Sequence, residues 1–157
     1  MKLKKPSFWD YNKPNIISYL LLPFTLPFIL NNFILSFRTQ KIYPNIKSIC
    51  VGNIYVGGTG KTPLTIKINQ ILKKINPRTA TIKKWYADQT DEQKILTKKT
   101  KLYCFKDRNY AIQQAIKDNI DIVLFDDGLQ DVSINYDLKF VCFNKVTLFG
   151  NGFLIPA

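Results

Sequence analysis

Between residues 46 and 62 the chain reads IKSICVGNIYVGGTGKT, and this segment constrains the fold more than any other. Ile46–Val51 is a short run rich in isoleucine and valine, the pattern of a buried strand. A glycine-rich turn follows. From Thr62 to Ile75, Leu64, Ile68, Ile71, Leu72 and Ile75 then fall at helical spacing. A strand, a glycine-rich loop ending in Gly-Lys-Thr and a helix together make a phosphate-binding loop. Gly57, Gly58 and Gly60 let the backbone curl so that successive N–H groups point at phosphate oxygens. The helix N-terminus adds its dipole. Lys61 reaches the β/γ-phosphates, and the Thr62 hydroxyl is a ligand for Mg²⁺. Gly57, Gly58, Thr59, Gly60, Lys61 and Thr62 are therefore the expected nucleotide-binding set. The strict spacing would place glycine at position 55, where Tyr55 stands. A chance glycine-rich turn would leave Lys61 and Thr62 unexplained. Asn144-Lys145-Val146-Thr147 begins like the guanine-reading N-K-x-D motif but has threonine in place of the aspartate, so ATP is expected rather than GTP.

A second strand, Ile120–Phe125, ends at Asp126-Asp127-Gly128. In phosphate-binding-loop proteins an acid at the end of a neighbouring strand holds the Mg²⁺ shell. Ligands of such sheets bind at the carboxyl ends of the strands. A plain Asp-Gly turn is the alternative, and it weakens once the loop is accepted. Thr90-Asp91-Glu92-Gln93 precedes Ile95-Leu96. From the residues alone this stretch reads either as a helix N-cap or as a source of catalytic carboxylates.

Composition narrows the chemistry. The chain has 157 residues, room for one ordinary domain, with 46% hydrophobic and 22% charged residues, a globular balance. It contains no histidine, which excludes Ser-His-Asp and Cys-His catalysis and imidazole metal sites. Cys50, Cys104 and Cys142 lie in or beside apolar runs at no metal-ligand spacing, and read as buried free thiols in a reducing compartment. The net charge of +12 points to an anionic membrane or a phosphorylated substrate. Lysines beyond residue 60 read equally well as solvated surface, and no nucleic-acid-reading motif is present, so no nucleic-acid partner is expected.

No charge occurs between Lys13 and Arg38. As one helix, Asn15–Phe37 would be about 35 Å long, enough to span a bilayer core of roughly 30 Å. No small-x-small cleavage site follows it. Both flanks are basic, which disfavours placing them on opposite sides of a membrane. Pro23 and Pro27 interrupt the helical ladder, and Asn31-Asn32 would be costly at mid-bilayer. Ser18, Thr25, Asn32 and Ser36 fall within about 40° of one another at helical spacing, a narrow polar stripe. An interfacial or re-entrant segment with both ends on the nucleotide side is the expectation, ahead of a spanning helix or one covered by protein.

Taken together, GNIYVGGTGKTP (52–63), Asp91-Glu92, KDR (106–108), DDGLQ (126–130) and GNGFLIPA (150–157) occur in the order seen in tetraacyldisaccharide 4′-kinases, the lipid A 4′-kinases. The chain resembles that family over about residues 9–157, including the apolar segment before the loop. The resemblance implies a P-loop NTPase-like α/β three-layer sandwich with a mostly parallel sheet, preceded by an N-terminal membrane-associated helix. Strands are expected near 46–51, 79–83, 101–105, 121–125 and 139–143, and helices near 62–75, 91–98 and 108–118. Residues 1–44 would form the membrane-associated segment and 45–157 the nucleotide-binding domain. The implied activity is Mg²⁺-dependent phosphoryl transfer from ATP to the 4′-hydroxyl of an acylated disaccharide 1-phosphate. Its place would be the cytoplasmic face of the inner membrane of a Gram-negative bacterium. Asp91 resembles the family's general base, with Lys61 and Asp127 completing the catalytic set. Thr62, Asp126 and Glu92 form the metal set. Departures are Asp131 where the family has histidine, Gln93 where it has proline, and a shortened Arg78–Gln89 stretch lacking RGYGG. The resemblance stops inside the family's PAGPLREP motif, so its C-terminal domain, or a partner chain, would supply the second wall of the cleft. The alternatives are a truncated homologue that only binds ATP and membrane, and a membrane-attached P-loop ATPase.

Overall fold

The computed structural model of the chain describes residues 16–37, 39–53, 59–76, 78–87 and 90–145. Five parallel strands form one sheet: β1 (Lys47–Asn53), β2 (Thr79–Lys84), β3 (Leu102–Phe105), β4 (Ile122–Asp126) and β5 (Leu138–Cys142). Their order is β3-β2-β4-β1-β5, so β1 is paired with β4 on one side and β5 on the other. Every described strand pairing is parallel, which places all the carboxyl ends on one edge. The helices are α1 (Ile16–Leu20), α2 (Leu26–Ser36), α3 (Lys61–Ile75), α4 (Thr90–Lys99) and α5 (Arg108–Lys117). The expected α/β sandwich and its five strands are thus present, each within two residues of its expected ends.

The two faces of the sheet are built differently. Successive strand residues point to opposite faces. One face carries Cys50, Ala80, Ile82, Val123 and Phe125, and α5 covers it with Ala111, Ile112 and Ala115 in one apolar cluster. The other face carries Val51, Thr79, Thr81, Lys83, Leu124 and Asp126, all buried, and α3 contributes Thr65 and Asn69 there. Helix α5 starts at a proper cap, since the Asp107 side chain accepts from the backbone N–H of Asn109 at 2.9 Å.

After β4 the chain makes a tight reversal. Asp127 sits at φ +62°, a conformation aspartate tolerates better than most residues. Next to it, Gly128 packs so closely that a Cβ there would lie 2.8 Å from Cys50 Sγ and 3.0 Å from the Tyr136 hydroxyl oxygen. Of the cysteines, Cys50 and Cys142 are buried and free as expected, whereas Cys104 is free but only half-buried. It ends up so because β3 is an edge strand. Burial pushes the Cys50 thiol up to about 12, so it stays protonated and unreactive.

Of the described residues, 16–37, 39 and 143–145 belong to a compact unit of their own. In it, α1 ends at Leu20, a single 3₁₀ turn covers Leu22–Thr25, and α2 begins at Leu26. Pro23 and Pro27 each lie at the start of their element, where a missing N–H costs nothing. The interruption expected at the two prolines is present, so α1 and α2 are separate pieces, and no helix among the described residues is long and apolar enough to cross a membrane. Thr25 also departs from the expected polar stripe: it is buried and its hydroxyl donates to the Leu22 carbonyl at 2.6 Å. The side chains of Ser18, Asn32 and Ser36 lie outside the described set. Ile16, Leu20, Phe24, Leu26 and Phe37 are largely exposed.

Gly128→Ala should therefore lower stability by about 1–3 kcal/mol, the usual cost of overpacking, as read from chemical denaturation. Stability should also fall in acid. Burial pushes the Asp137 carboxyl up, but the Ser48 N–H and hydroxyl, with Lys47, more than offset this and hold it low. For Asp131, burial is likewise outweighed by Ser133 and Arg108. A lowered carboxyl stabilises the fold above its unfolded value, near 3.9, and that contribution is lost as pH falls below it. Melting temperature should be flat from neutral pH to about 5 and drop steeply below about 4.

Candidate nucleotide site

Helix α3 begins at Gly60, whose φ of +78° is a left-handed turn glycine makes without strain. Among the described residues no side chain caps this end, and Pro63 brings no N–H, so Lys61 and Thr62 carry the free donors of the first turn. The Thr59 hydroxyl beside them is buried with no partner among the described residues. An uncapped N-terminus, its dipole and an orphaned hydroxyl suit a phosphate group. Gly57, Gly58 and Tyr55 lie outside the described residues.

The Lys61 ammonium lies 2.8 Å from Asp127 Oδ1 and donates also to Asn53 Oδ1 at 2.8 Å. The Thr62 hydroxyl donates to Asp126 Oδ2 at 3.0 Å. One turn further, the Thr65 hydroxyl lies 3.2 Å from Asp126 Oδ1 and 3.0 Å from the Lys61 carbonyl. The pairing of β1 with β4 sets this up, because Val51 is in register with Asp126 and the chain enters the loop just after β1. Lys61, Thr62, Asp126 and Asp127 are thus brought to one place.

Asp91 and Glu92 lie in the first turn of α4, Asp91 exposed and Glu92 half-exposed. Thr90 is already helical, so Asp91 sits within the first turn and not at a cap. Asp91 makes no hydrogen bond to the four-residue cluster among the described residues. Glu92 reaches it indirectly, through a residue the sequence did not single out. Lys83 is 2% exposed, and its ammonium lies 2.7 Å from Glu92 Oε2 and 2.8 Å from Asp126 Oδ2. Burial alone would pull this lysine down, but Asp126 and Glu92 more than offset it and leave the ammonium above its ordinary value.

Arg108 also matters here. It is 6% exposed, its Nη2 donates to the Asp127 carbonyl at 2.6 Å, and its Nη1 lies 3.3 Å from Asp131 Oδ2. Asp131, where histidine was expected from the resemblance, accepts from both the N–H and the hydroxyl of Ser133. Arg108 therefore braces the left-handed Asp127 from behind. Beyond β2 and β3, Lys84 lies 5.6 Å over the Tyr86 ring and Lys106 5.6 Å over the Trp85 ring. These are partly exposed cation–aromatic pairs.

For a divalent ion, Thr62 Oγ1 and Asp126 Oδ2 are hard oxygens 3.0 Å apart, the donor type Mg²⁺ takes. No three Asp, Glu or Cys side chains among the described residues could hold a metal by themselves. The ion would draw its remaining ligands from phosphate oxygens and water, as Mg²⁺ commonly does.

A family model described as tetraacyldisaccharide-1-P 4′-kinase matches residues 17–157. The chain is 51% identical to the tetraacyldisaccharide 4′-kinase of Pelagibacter ubique (strain HTCC1062), with all of this chain and 50% of that protein aligned. It is 35% identical to the protein of the same name from Rickettsia canadensis (strain McKiel), of which it covers 52%. The chain spans about half the length of these curated relatives. Its fold matches the crystal structure of the "apo" form of LpxK from Aquifex aeolicus in complex with ATP, at TM-score 0.65 and 22% identity. That match covers 80% of this chain and 49% of the other.

Lys61→Ala and Thr62→Ala should each weaken binding of Mg²⁺·ATP by about tenfold or more, as measured by calorimetry. Thr62→Ala should leave the weak Mg²⁺-free binding nearly unchanged if its hydroxyl, as expected from the loop, serves the metal.

Proposed function

Because this chain belongs to the tetraacyldisaccharide-1-P 4′-kinase family, we propose that it forms the nucleotide-binding half of an enzyme that phosphorylates an acylated disaccharide 1-phosphate on its 4′-hydroxyl, using ATP. The observation that carries this reading is the double pairing behind the uncapped α3. Lys61 is held on Asp127 and Thr62 on Asp126, with both acids at the end of the strand beside β1.

When nucleotide enters, the N–H groups of Lys61 and Thr62 donate to phosphate oxygens. The Lys61 ammonium swings from Asp127 and Asn53 onto the β/γ-phosphates, where it offsets the charge of the transferring group. Thr62 and, through water, Asp126 and Glu92 would hold Mg²⁺, which supplies charge neutralisation on the phosphates. Asp91, exposed at the start of α4, accepts the proton of the attacking sugar hydroxyl. Asp127, freed by Lys61, stays near the transferred group.

The cation–aromatic pairs beyond β2 and β3 suit a phosphorylated sugar. The exposed apolar helices of the N-terminal unit suit acyl chains at a membrane surface, with the basic flanks favouring anionic lipid. Residues 1–44 would then rest on the cytoplasmic face of a Gram-negative inner membrane, and 45–157 would carry the nucleotide. The other half of such a protein, or a partner chain, would close the cleft.

Asp91→Ala tests the reading. Transfer of labelled phosphate from ATP to the tetraacyl disaccharide 1-phosphate should fall by about 100-fold or more, with the affinity for Mg²⁺·ATP unchanged. Undiminished transfer would remove Asp91 from the reaction. Tight ATP binding without transfer in the unaltered protein would leave an ATP- and membrane-binding role.

A further inference from the structure

Lys83 is the best-buried cation in the described part of the chain, and the phosphate-binding loop does not require it. Its position is built into the backbone. On adjacent parallel strands, Lys83 is in register with Asp126, so both side chains leave the sheet on the face that α3 covers. Its ammonium reaches Asp126 Oδ2, the same oxygen to which Thr62 donates. Its other partner, Glu92, stands on α4 next to Asp91. Lys83 also falls in the shortened 78–89 stretch, which lacks the family's RGYGG.

A cation ligated by the Thr62 hydroxyl would come within a few ångströms of this ammonium. Two positive groups that close, in a part-buried site, repel strongly. The ammonium already has a second carboxylate partner 2.7 Å away, the half-exposed Glu92, which can keep it when Asp126 turns to a metal. We infer that Lys83 is a resident counter-ion of the nucleotide site: it balances Asp126 in the metal-free protein, ties the first turn of α4 to β4, and yields toward Glu92 when Mg²⁺·nucleotide arrives. It is a positioning residue. It sets how much Mg²⁺ the site requires, and it links occupancy of the site to the placement of Asp91. This rests on the nucleotide-binding reading above.

Lys83→Met removes the charge with little change in volume. The full chain, unaltered and as K83M, is titrated with Mg²⁺ in the presence of a non-hydrolysable ATP analogue, and melting temperature is followed with and without the metal. Without Mg²⁺, K83M should melt about 5 °C or more below the unaltered chain, because Asp126 is left unpaired. Saturating Mg²⁺ and analogue should close most of that gap. Half-saturation by Mg²⁺ should fall by about fivefold or more in K83M. A folded K83M with unchanged half-saturation overturns the role of Lys83. If K83M does not fold, the double variant with Asp126→Asn removes both charges. Recovery of the fold then supports the counter-ion role, and continued failure overturns it. Failure of the unaltered chain to bind Mg²⁺ and analogue would overturn the nucleotide reading itself, and this inference with it. Normal binding with an unmoved half-saturation would overturn only the inference.

Discussion

The carboxylate of Asp126 lies at the carboxyl end of β4 with 1% of its side chain exposed. A charge removed from water to that extent survives only with close partners, and removing one costs about 3–5 kcal/mol. The partners come from two other elements. Thr62 and Thr65 donate from α3, and Lys83 provides a full positive charge from β2. Each must be in place for the others to be tolerable. Helix α3 is thereby fixed in rotation about its axis, which aims its uncapped N-terminus at the edge where β1, β2 and β4 end. The start of α3 and the acid strand are thus positioned by one buried carboxylate.

The sheet divides its labour accordingly. On the α5 side, aliphatic and aromatic side chains from β1, β2 and β4 close an apolar cluster that supplies most of the stabilising burial. The α3 side is rich in hydroxyls and charge at the end where ligand would arrive. Arg108 joins the two layers. It starts α5, and its guanidinium holds the carbonyl of Asp127 on the ligand edge. The left-handed backbone of Asp127 is kept in place from the apolar side of the sheet.

Much of this was legible in the residues. The strands were, because β1 and β4 are short runs of isoleucine, valine and leucine, bounded by turn residues, as fully buried parallel strands require. The start of α3 was, because Gly60, Lys61 and Thr62 at the end of a glycine-rich stretch mark a helix N-terminus. Lys83 was not. It belongs to TATIKK, one of twenty lysines in the chain, and nothing local separates a buried lysine from a solvated one. Only the register of β2 on β4 reveals it, and register is a long-range property. The break in the N-terminal segment was legible, since Pro23 and Pro27 interrupt the helical ladder in the sequence and each opens a new element in the structure. Thr25 had looked like part of a polar face because helical spacing was carried straight through that break. Cys104 is half-buried for a similar reason, since an apolar neighbourhood in sequence does not tell a central strand from an edge.

The strand order has a consequence for how the chain comes to be folded. Strand β1 is synthesised before both of its neighbours, because β4 and β5 lie more than 65 residues downstream. Until they appear, β1 has two open edges and an apolar sequence, the kind of segment that pairs with the wrong chain. Local helices can form and dissolve meanwhile, but the sheet can close only around β4, whose arrival also brings the acids to the loop. High contact order of this sort makes folding slow. Acquisition of the ligand edge and completion of the sheet then become one late event, and a nascent chain released before Cys142 would have neither.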